Sequence, residues 1–197
     1  LVGSEMCIRD RLKQSETDQM TGLANRYRLN AYSEKVLDYC YEHRLPLAME
    51  ILDIDFFKQY NDNYGHQQGD ECIIAIADEL KKMEDGQTFC ARYGGDEFII
   101  IYAGISVEEV HAKAGALRQN IMNLKLEHLY SKALPIVTIS QGISYGVPEE
   151  GNRSWDFLHT ADMLLYQVKK RSRNDICIAD IRGQELDLSS KQEKVEP

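Results

Sequence analysis

The feature that most constrains this chain is a pair of adjacent glycines, Gly94 and Gly95, between two short runs of strand-forming residues. Such a pair predicts a β-hairpin with a primed turn, in which both central residues take positive φ. Two acids, Asp96 and Glu97, follow at once. A turn without side chains beside two carboxylates would let a metal-bound phosphate approach closely. A surface hairpin with solvated charges is the alternative interpretation of these residues alone.

The size and charge of the chain limit what surrounds this hairpin. Of 197 residues, 43% are hydrophobic and 28% charged, which predicts one globular domain with short extensions. The formal net charge of −9 argues against nonspecific binding to nucleic acid or to an anionic membrane. No apolar run is long enough to span a membrane, and residues 1–11 lack the apolar stretch of a secretory signal.

The cysteines and histidines give no sign of a disulfide framework or a zinc site. Five cysteines are spread along the chain without a CxxC pair, and the five histidines show no zinc-binding spacing. We therefore expect reduced, packed thiols and a cytoplasmic location.

Hydrophobic periodicity and turn residues predict alternating helices and strands. We expect Asp70 to open the third helical segment, after a polar loop over 61–70, and Gly142 to mark a bulge. The predicted helices are 25–44, a short turn at 56–60, one from Asp70 to about 83, 106–124 and 154–171. The predicted strands are 47–54, 88–92, 97–102, 136–145 and 176–178.

This order of elements predicts an α/β sandwich of two or three layers with a partly antiparallel sheet. Residues 17–180 would form the domain. Residues 1–16 are interpreted as a cloning scar or the end of an upstream linker helix, and the polar residues 181–197 are expected to be disordered.

Three acids are expected to meet at one edge of this sheet. Asp53 ends one predicted strand, and Asp96 and Glu97 begin another. Three like charges are costly to gather unless a cation joins them, and oxygen ligands favour Mg²⁺ over zinc. A helix-capping role for Asp53 is the structural alternative.

Basic residues near these acids indicate a polyphosphate ligand. Lys58 follows Asp53 by about one helical turn, and Lys169 and Arg173 have the spacing of one helix face. Each of these residues also has a purely structural interpretation. Lys58 could be a solvated surface charge, and the basic residues at the end of the last helix could simply interact favourably with the helix dipole.

With these residues in place, the chain from about Asp18 to Ile178 resembles the GGDEF domains, the family of diguanylate cyclases. Five motifs agree with the family in order and spacing. They are 18–26 (Asp-x-Met-Thr-Gly-Leu-x-Asn-Arg), 53–62 (Asp-Ile-Asp-x-Phe-Lys-x-x-Asn-Asp), Gly65-His66 with Gly69-Asp70, 92–98, and Leu165-Tyr166 through Lys169 to Arg173-Asn174. The resemblance implies a fold like the palm of nucleotidyl cyclases and polymerases, with a central mixed sheet of about five strands flanked by helices.

The resemblance also implies a reaction in which two GTP become cyclic di-GMP and two pyrophosphates. Two Mg²⁺ or Mn²⁺ ions in each active site would be held by Asp53, the Ile54 carbonyl, Asp96 and Glu97. Glu97 would in addition be the general base. The basic residues Lys58, Lys169 and Arg173 would bind the phosphates and stabilise their negative charge in the transition state.

Base recognition and assembly follow from the same resemblance. Asn61 and Asp70 match the guanine-contacting positions, with His66 nearby, and an acid at Asp70 favours GTP over ATP. The twofold symmetry of the product implies a homodimer during catalysis. An inhibitory product site is not expected, because the matching positions 85–88 lack its Arg and Asp.

Other functions remain open on the sequence alone. A catalytically silent module that binds GTP or cyclic di-GMP is the main alternative, and a partner-docking scaffold is a third. The family implies an upstream sensor or receiver domain, and with it a possible membrane tether, outside this chain.

Overall fold

The computed structural model describes residues 16–184 and Leu186, and these residues form a five-stranded sheet with five helices. Residues 1–15 and most of the predicted tail lie outside the described part. The helices are α1 (Arg26–His43), α2 (Phe57–Tyr64), α3 (His66–Lys81), α4 (Val107–Asn123) and α5 (Ser154–Arg171). The strands are β1 (Leu47–Ile54), β2 (Thr88–Gly94), β3 (Glu97–Ala103), β4 (Ile139–Gly146) and β5 (Ile176–Asp180).

The sheet is mixed and is covered by helices on both faces, which confirms the predicted fold class. Its strand order is β2-β3-β1-β4-β5, and every neighbouring pair is antiparallel except β4 and β5. Helices α2, α3 and α4 bury one face, and α1 and α5 cover the other. Strand β1 is therefore central and buried on both faces, which accounts for its nearly continuous apolar sequence.

Two helices begin at the capping residues that the sequence predicts. Asn25 accepts a hydrogen bond from the Arg28 amide at the start of α1. Ser106 and Glu109 form a reciprocal capping box at the start of α4. Among the described residues, none of the helices has the length and apolar character needed to cross a membrane. The four cysteines in this part of the chain are buried thiols, and Cys7 lies outside it.

The prediction of a loop over 61–70 is wrong. Helix α2 continues to Tyr64 and α3 begins at His66, so only Gly65, with φ of +86°, separates the two helices. Asp70 consequently lies in the second turn of α3 and does not open it. The polar residues that suggested a loop lie at the end of α2 and in the first turn of α3, where most of them are exposed.

Gly142 is not a bulge, as was expected, but a point of close packing. It pairs in regular register with Ile51 on one side and Cys177 on the other. A Cβ atom at this position would collide with the backbone of α5, at the Ala161 carbonyl and the Leu165 amide. Glycine is required because α5 lies directly against β4. The strand itself begins at Ile139, later than predicted, since Ile136 pairs with Glu127 in an isolated bridge.

We predict that Gly142→Ala lowers the free energy of unfolding by about 3 kcal/mol or more, because helix backbone cannot move aside cheaply. Gly115→Ala is the matched control. Gly115 lies inside α4 with open space where a Cβ would stand, so this change should stabilise the fold by about 0.5 to 1 kcal/mol. Urea denaturation measures both. Equal stability of Gly142→Ala and the wild type would contradict the packing argument.

Candidate active site

The hairpin between β2 and β3 carries the acidic motif, but its turn differs from the predicted one. Gly94 pairs with Glu97, so the two-residue loop consists of Gly95 and Asp96. Gly95 has φ of +57°, whereas Asp96 does not have positive φ. Positive φ at the first loop position alone is typical of a type II′ turn. The register shift between Arg92 and Gly94 places the extra residue, Tyr93, just before the turn.

Arg92 braces this turn, a role that the sequence did not indicate. Its Nε and Nη2 donate to the Gly95 carbonyl oxygen at 3.1 and 2.8 Å. Its Nη1 lies 3.1 Å from Asp18 Oδ1, so the side chain joins the loop to the segment before α1. The position of the loop is thereby fixed from two directions.

The hairpin brings two of the predicted acids together as direct cross-strand neighbours. Asp53, near the end of β1, stands opposite Glu97, the first residue of β3. Residues opposite each other on antiparallel strands point to the same face of the sheet. Burial, and to a smaller extent the charges of Asp96 and Glu97, raise the pKa of Asp53 to about 6 in spite of the opposing effect of Lys169. The pKa of Glu97 is also raised, mainly by burial.

Lys169 supplies a positive charge to this pair of acids. Its Nζ lies 2.7 Å from Asp53 Oδ2, and it reaches the sheet from the last turn of α5. The other two predicted cations, Arg173 and Lys58, are arranged differently from Lys169. Arg173 does not share a helix face with Lys169, because α5 ends at Arg171 and Arg173 has φ of +54°. Lys58 lies in the first turn of α2 and is exposed.

A second acid of the same motif, Asp55, was not assigned a role from the sequence. It is fully buried and accepts hydrogen bonds from Thr138 Oγ1 at 2.8 Å and from Ser140 Oγ at 2.6 Å. It also accepts from the Asn174 amide at 2.9 Å, and Arg173 Nη1 lies 3.5 Å from its Oδ1. Asp55 therefore ties the end of β1 to β4 and to the turn after α5. These partners are far apart in sequence, so no local pattern identifies them.

The predicted base-contacting residues lie on α2 and α3, at their junction. Asn61 packs so closely on Gly69 that a Cβ at position 69 would overlap its side-chain oxygen. That oxygen is buried and, among the described residues, has no hydrogen-bond partner. Asp70 directly follows Gly69, and both Asp70 and His66 are exposed on α3. The two helices thus place Asn61 next to the backbone that carries Asp70.

A pocket of about 220 Å³ opens beside Glu97, between the sheet and α5. Its apolar lining comes from Ile51, Ile99 and Leu158, with the aromatic side chains Tyr93 and Trp155. Asp162 and His159 complete its lining. The carboxylate of Glu97 therefore faces open space large enough for part of a small molecule.

Within residues 16–184, no three acidic, histidine or cysteine side chains are grouped closely enough to form a metal site as they stand. The acids opposite each other at Asp53 and Glu97 are instead accompanied by the ammonium group of Lys169. An ammonium group and a divalent cation satisfy the same electrostatic requirement of paired carboxylates.

Replacing Asp53 or Asp55 by asparagine should change the free energy of unfolding in opposite directions. We predict that Asp53→Asn raises the free energy of unfolding by about 1 kcal/mol at pH 8 without divalent cation, since it removes a buried charge beside other acids. Asp55→Asn should lower it by about 2 to 4 kcal/mol, because an amide cannot accept from all the donors around it. Thermal unfolding measures both. Destabilisation by Asp53→Asn as large as that by Asp55→Asn would contradict the assignment.

Comparison with known proteins agrees with this geometry. A family model described as "Diguanylate cyclase, GGDEF domain" matches residues 15–175. The probable diguanylate cyclase DgcC of Escherichia coli K12 is 34% identical over 163 residues, which are 81% of this chain and 42% of that protein. The response regulator PleD of Caulobacter vibrioides is 30% identical over 165 residues, or 84% of this chain and 36% of PleD. The chain thus spans less than half of either relative.

Solved structures show the same fold. The coiled coil and GGDEF domain of DgcB from Caulobacter crescentus, in complex with c-di-GMP, matches with a TM-score of 0.79 and 27% identity, covering 90% of this chain and 95% of that one. The active GGEEF domain of a diguanylate cyclase from Vibrio cholerae matches with a TM-score of 0.67 and 31% identity, covering 79% and 97%. On the family model, the relatives and the fold together, this chain belongs to the GGDEF domain family of diguanylate cyclases.

Proposed function

We propose that this chain is an active diguanylate cyclase, which condenses two GTP into cyclic di-GMP with release of two pyrophosphates. The observation that carries the proposal is the pair of acids, Asp53 and Glu97, opposite each other on neighbouring strands with Lys169 beside them. Relatives named diguanylate cyclase support the same reaction.

The residues present fit a site for Mg²⁺ or Mn²⁺, and two ions in each active site are proposed. Carboxylate oxygens of Asp53, Asp96 and Glu97 with the Ile54 carbonyl would supply an all-oxygen donor set once a cation draws them together, and hard divalent cations prefer such donors. The raised pKa of Asp53 reflects burial and neighbouring negative charge, a balance that cation binding would reverse. When bound, the cations would lower the pKa of the attacking hydroxyl and neutralise charge on the pyrophosphate.

Basic side chains at the same edge would bind the triphosphate. Lys169, which neutralises Asp53 in the free protein, would turn to phosphate oxygens once other positive charge reaches the acids. Lys58, exposed at the start of α2, and Arg173, after α5, would bind from the other two elements. Ligands from three elements stabilise charge that spreads over the phosphates in the transition state.

Glu97 is the proposed general base for the 3′-hydroxyl of the second GTP. Burial and the charges of Asp96 and Asp162 raise its pKa, against the effect of Lys169, and a raised pKa makes a carboxylate a stronger base. The pocket beside Glu97 supplies room on the side of α5 through which an attacking ribose can approach.

Guanine would be recognised at the junction of α2 and α3. The side-chain oxygen of Asn61 is buried against Gly69 without a hydrogen-bond partner among the described residues, so we propose that the amide turns toward the base to form hydrogen bonds with it. Asp70 can accept from N1–H and the N2 amine of guanine, donors that adenine lacks on that edge. His66, exposed on the first turn of α3, is the third residue proposed to bind the substrate at this junction.

One such site holds a single GTP, and the reaction joins two. Two copies of the chain that face each other about a twofold axis would bring each 3′-hydroxyl to the other α-phosphate, in agreement with the symmetry of the product. Product inhibition through positions 85–88 is not proposed. Asp85 and Thr88 there bind Lys113 at 2.8 and 3.1 Å, and the arginine of an Arg-x-x-Asp site is missing.

The proposal is tested by turnover of GTP with Mg²⁺ at increasing protein concentration. Because two subunits complete one reaction, the rate should rise faster than linearly with protein concentration until the dimer saturates. Removal of Mg²⁺ with EDTA should stop the reaction. GTP binding without any turnover would support the silent module instead.

Glu97→Gln is the matched variant for this assay. The amide keeps the shape of the side chain but can neither accept a proton nor contribute a negative charge, so we predict a loss of at least about a hundredfold in turnover. Its unfolding midpoint should stay close to that of the wild type. A variant that keeps the wild-type rate would rule out the role given to Glu97.

Asp70→Ser tests the base-recognition assignment separately. Without the carboxylate, the site loses an acceptor that only guanine can use, so the ratio of kcat/KM for GTP over ATP should fall by about tenfold or more. His66→Ala is the comparison variant, one turn earlier on the same helix and also exposed, and it should change this ratio less. Unchanged nucleotide preference in Asp70→Ser would count against the assignment.

A further inference from the structure

Backbone conformations of low population are concentrated around Asp55. Five residues other than glycine have positive φ in the described part of the chain, and three of them meet here. They are Phe56 with φ of 56°, Arg173 with φ of 54° and Asn174 with φ of 45°. Such conformations persist only where surrounding contacts hold them, and they are frequent at functional sites. The Asp55 carboxylate supplies part of this support, since it accepts from the Asn174 backbone amide and lies 3.5 Å from Arg173 Nη1.

Phe56 is an unfavourable residue for its position on local grounds. It is the residue that precedes α2, and its side chain makes no capping hydrogen bond. Asn or Asp there would tolerate the positive φ better and could cap the helix. An aromatic side chain at this place therefore gives up local stability, which indicates that the ring has another role.

That role is visible in the contact between Phe56 and Arg173. The guanidinium carbon of Arg173 lies 4.3 Å from the centre of the Phe56 ring, a cation–π distance. A guanidinium that stacks flat on a ring keeps its in-plane N–H groups available for other partners. The 3.5 Å ion pair with Asp55 Oδ1 draws on one Nη alone. The ring thus holds the cation without consuming the donors that a phosphate would need.

The backbone of Phe56, which carries this ring, is held by contacts on two sides. The Phe56 carbonyl oxygen accepts from the Tyr60 amide at 3.0 Å and lies 3.2 Å from His128 Nε2. Because a carbonyl only accepts, His128 Nε2 carries the proton in this contact. His128 is fully buried, so this support comes from the interior of the domain. On the other side, the Arg173 amide donates to the Val168 carbonyl at 3.0 Å, which anchors the turn after α5.

We infer that Phe56 is a positioning residue for the polyphosphate. Its ring packs against the guanidinium of Arg173 and keeps the in-plane N–H groups of that residue directed at the β- and γ-phosphates of the substrate. The inference rests on the proposed function, in which Arg173 binds phosphate, and adds a residue to which nothing above assigns a part in the reaction. Phe56 itself makes no contact with the reacting atoms.

The test compares Phe56→Leu with Phe56→Tyr. Leucine keeps an apolar side chain at the position but removes the π system, whereas tyrosine retains it. The probes are 3′-deoxy-GTP, which lacks the attacking hydroxyl and cannot turn over, and guanosine, which lacks phosphates. We expect Phe56→Leu to weaken 3′-deoxy-GTP binding by about two- to tenfold with guanosine binding unchanged. Phe56→Tyr should stay within about twofold of the wild type.

A double-mutant cycle with Arg173→Gln separates positioning from general damage to the fold. If the ring acts through Arg173, Phe56→Leu should cause no further loss of 3′-deoxy-GTP affinity in the Arg173→Gln background. Unchanged affinity in Phe56→Leu, an equal loss for guanosine, or a full further loss in Arg173→Gln would each overturn the inference. Failure of the wild type to bind 3′-deoxy-GTP would instead overturn the proposed function.

Discussion

The arrangement on which the rest of this structure depends is the cross-strand pair of carboxylates at Asp53 and Glu97. Two acids on one face of a sheet, one of them mostly buried, repel each other and lose hydration, so the fold must offset their charge. It does so with Lys169 from α5. With Lys169 alone, the negative charge of the two acids is only partly offset. Such a site favours binding of a further cation that arrives with the substrate.

Rigid supports on both sides keep these acids in place. On the β3 side, Arg92 fixes the hairpin loop through its contacts to Gly95 and Asp18. On the β1 side, Asp55 joins the strand end to β4 and to the turn that carries Arg173. The close approach of α5 to β4 at Gly142 sets the distance from which Lys169 reaches the sheet. Precise placement of ligands by such secondary contacts is what an electrostatic mechanism requires.

Much of this architecture follows from local pattern, and the exceptions have physical causes. The bounds of β1 and α5 were predicted because continuous apolar sequence and helical periodicity are strong signals there. The junction of α2 and α3 was taken for a loop because its exposed faces are polar. Gly142 and Asp55 could not be interpreted correctly, since the atoms that define their roles belong to distant segments. Cross-strand pairing of Asp53 and Glu97 was anticipated only on the condition that β1 and β3 are neighbours.

The most direct test of the central claim is to locate the cation itself. Crystals grown with Mn²⁺ and 3′-deoxy-GTP would be measured at the manganese absorption edge, where anomalous scattering identifies the ion without ambiguity. We predict an anomalous peak at the carboxylates of Asp53 and Glu97 when the triphosphate is bound, with Lys169 no longer in contact with Asp53. A triphosphate bound elsewhere, or a site in which Lys169 keeps its contact with Asp53 and no peak lies at these acids, would contradict it.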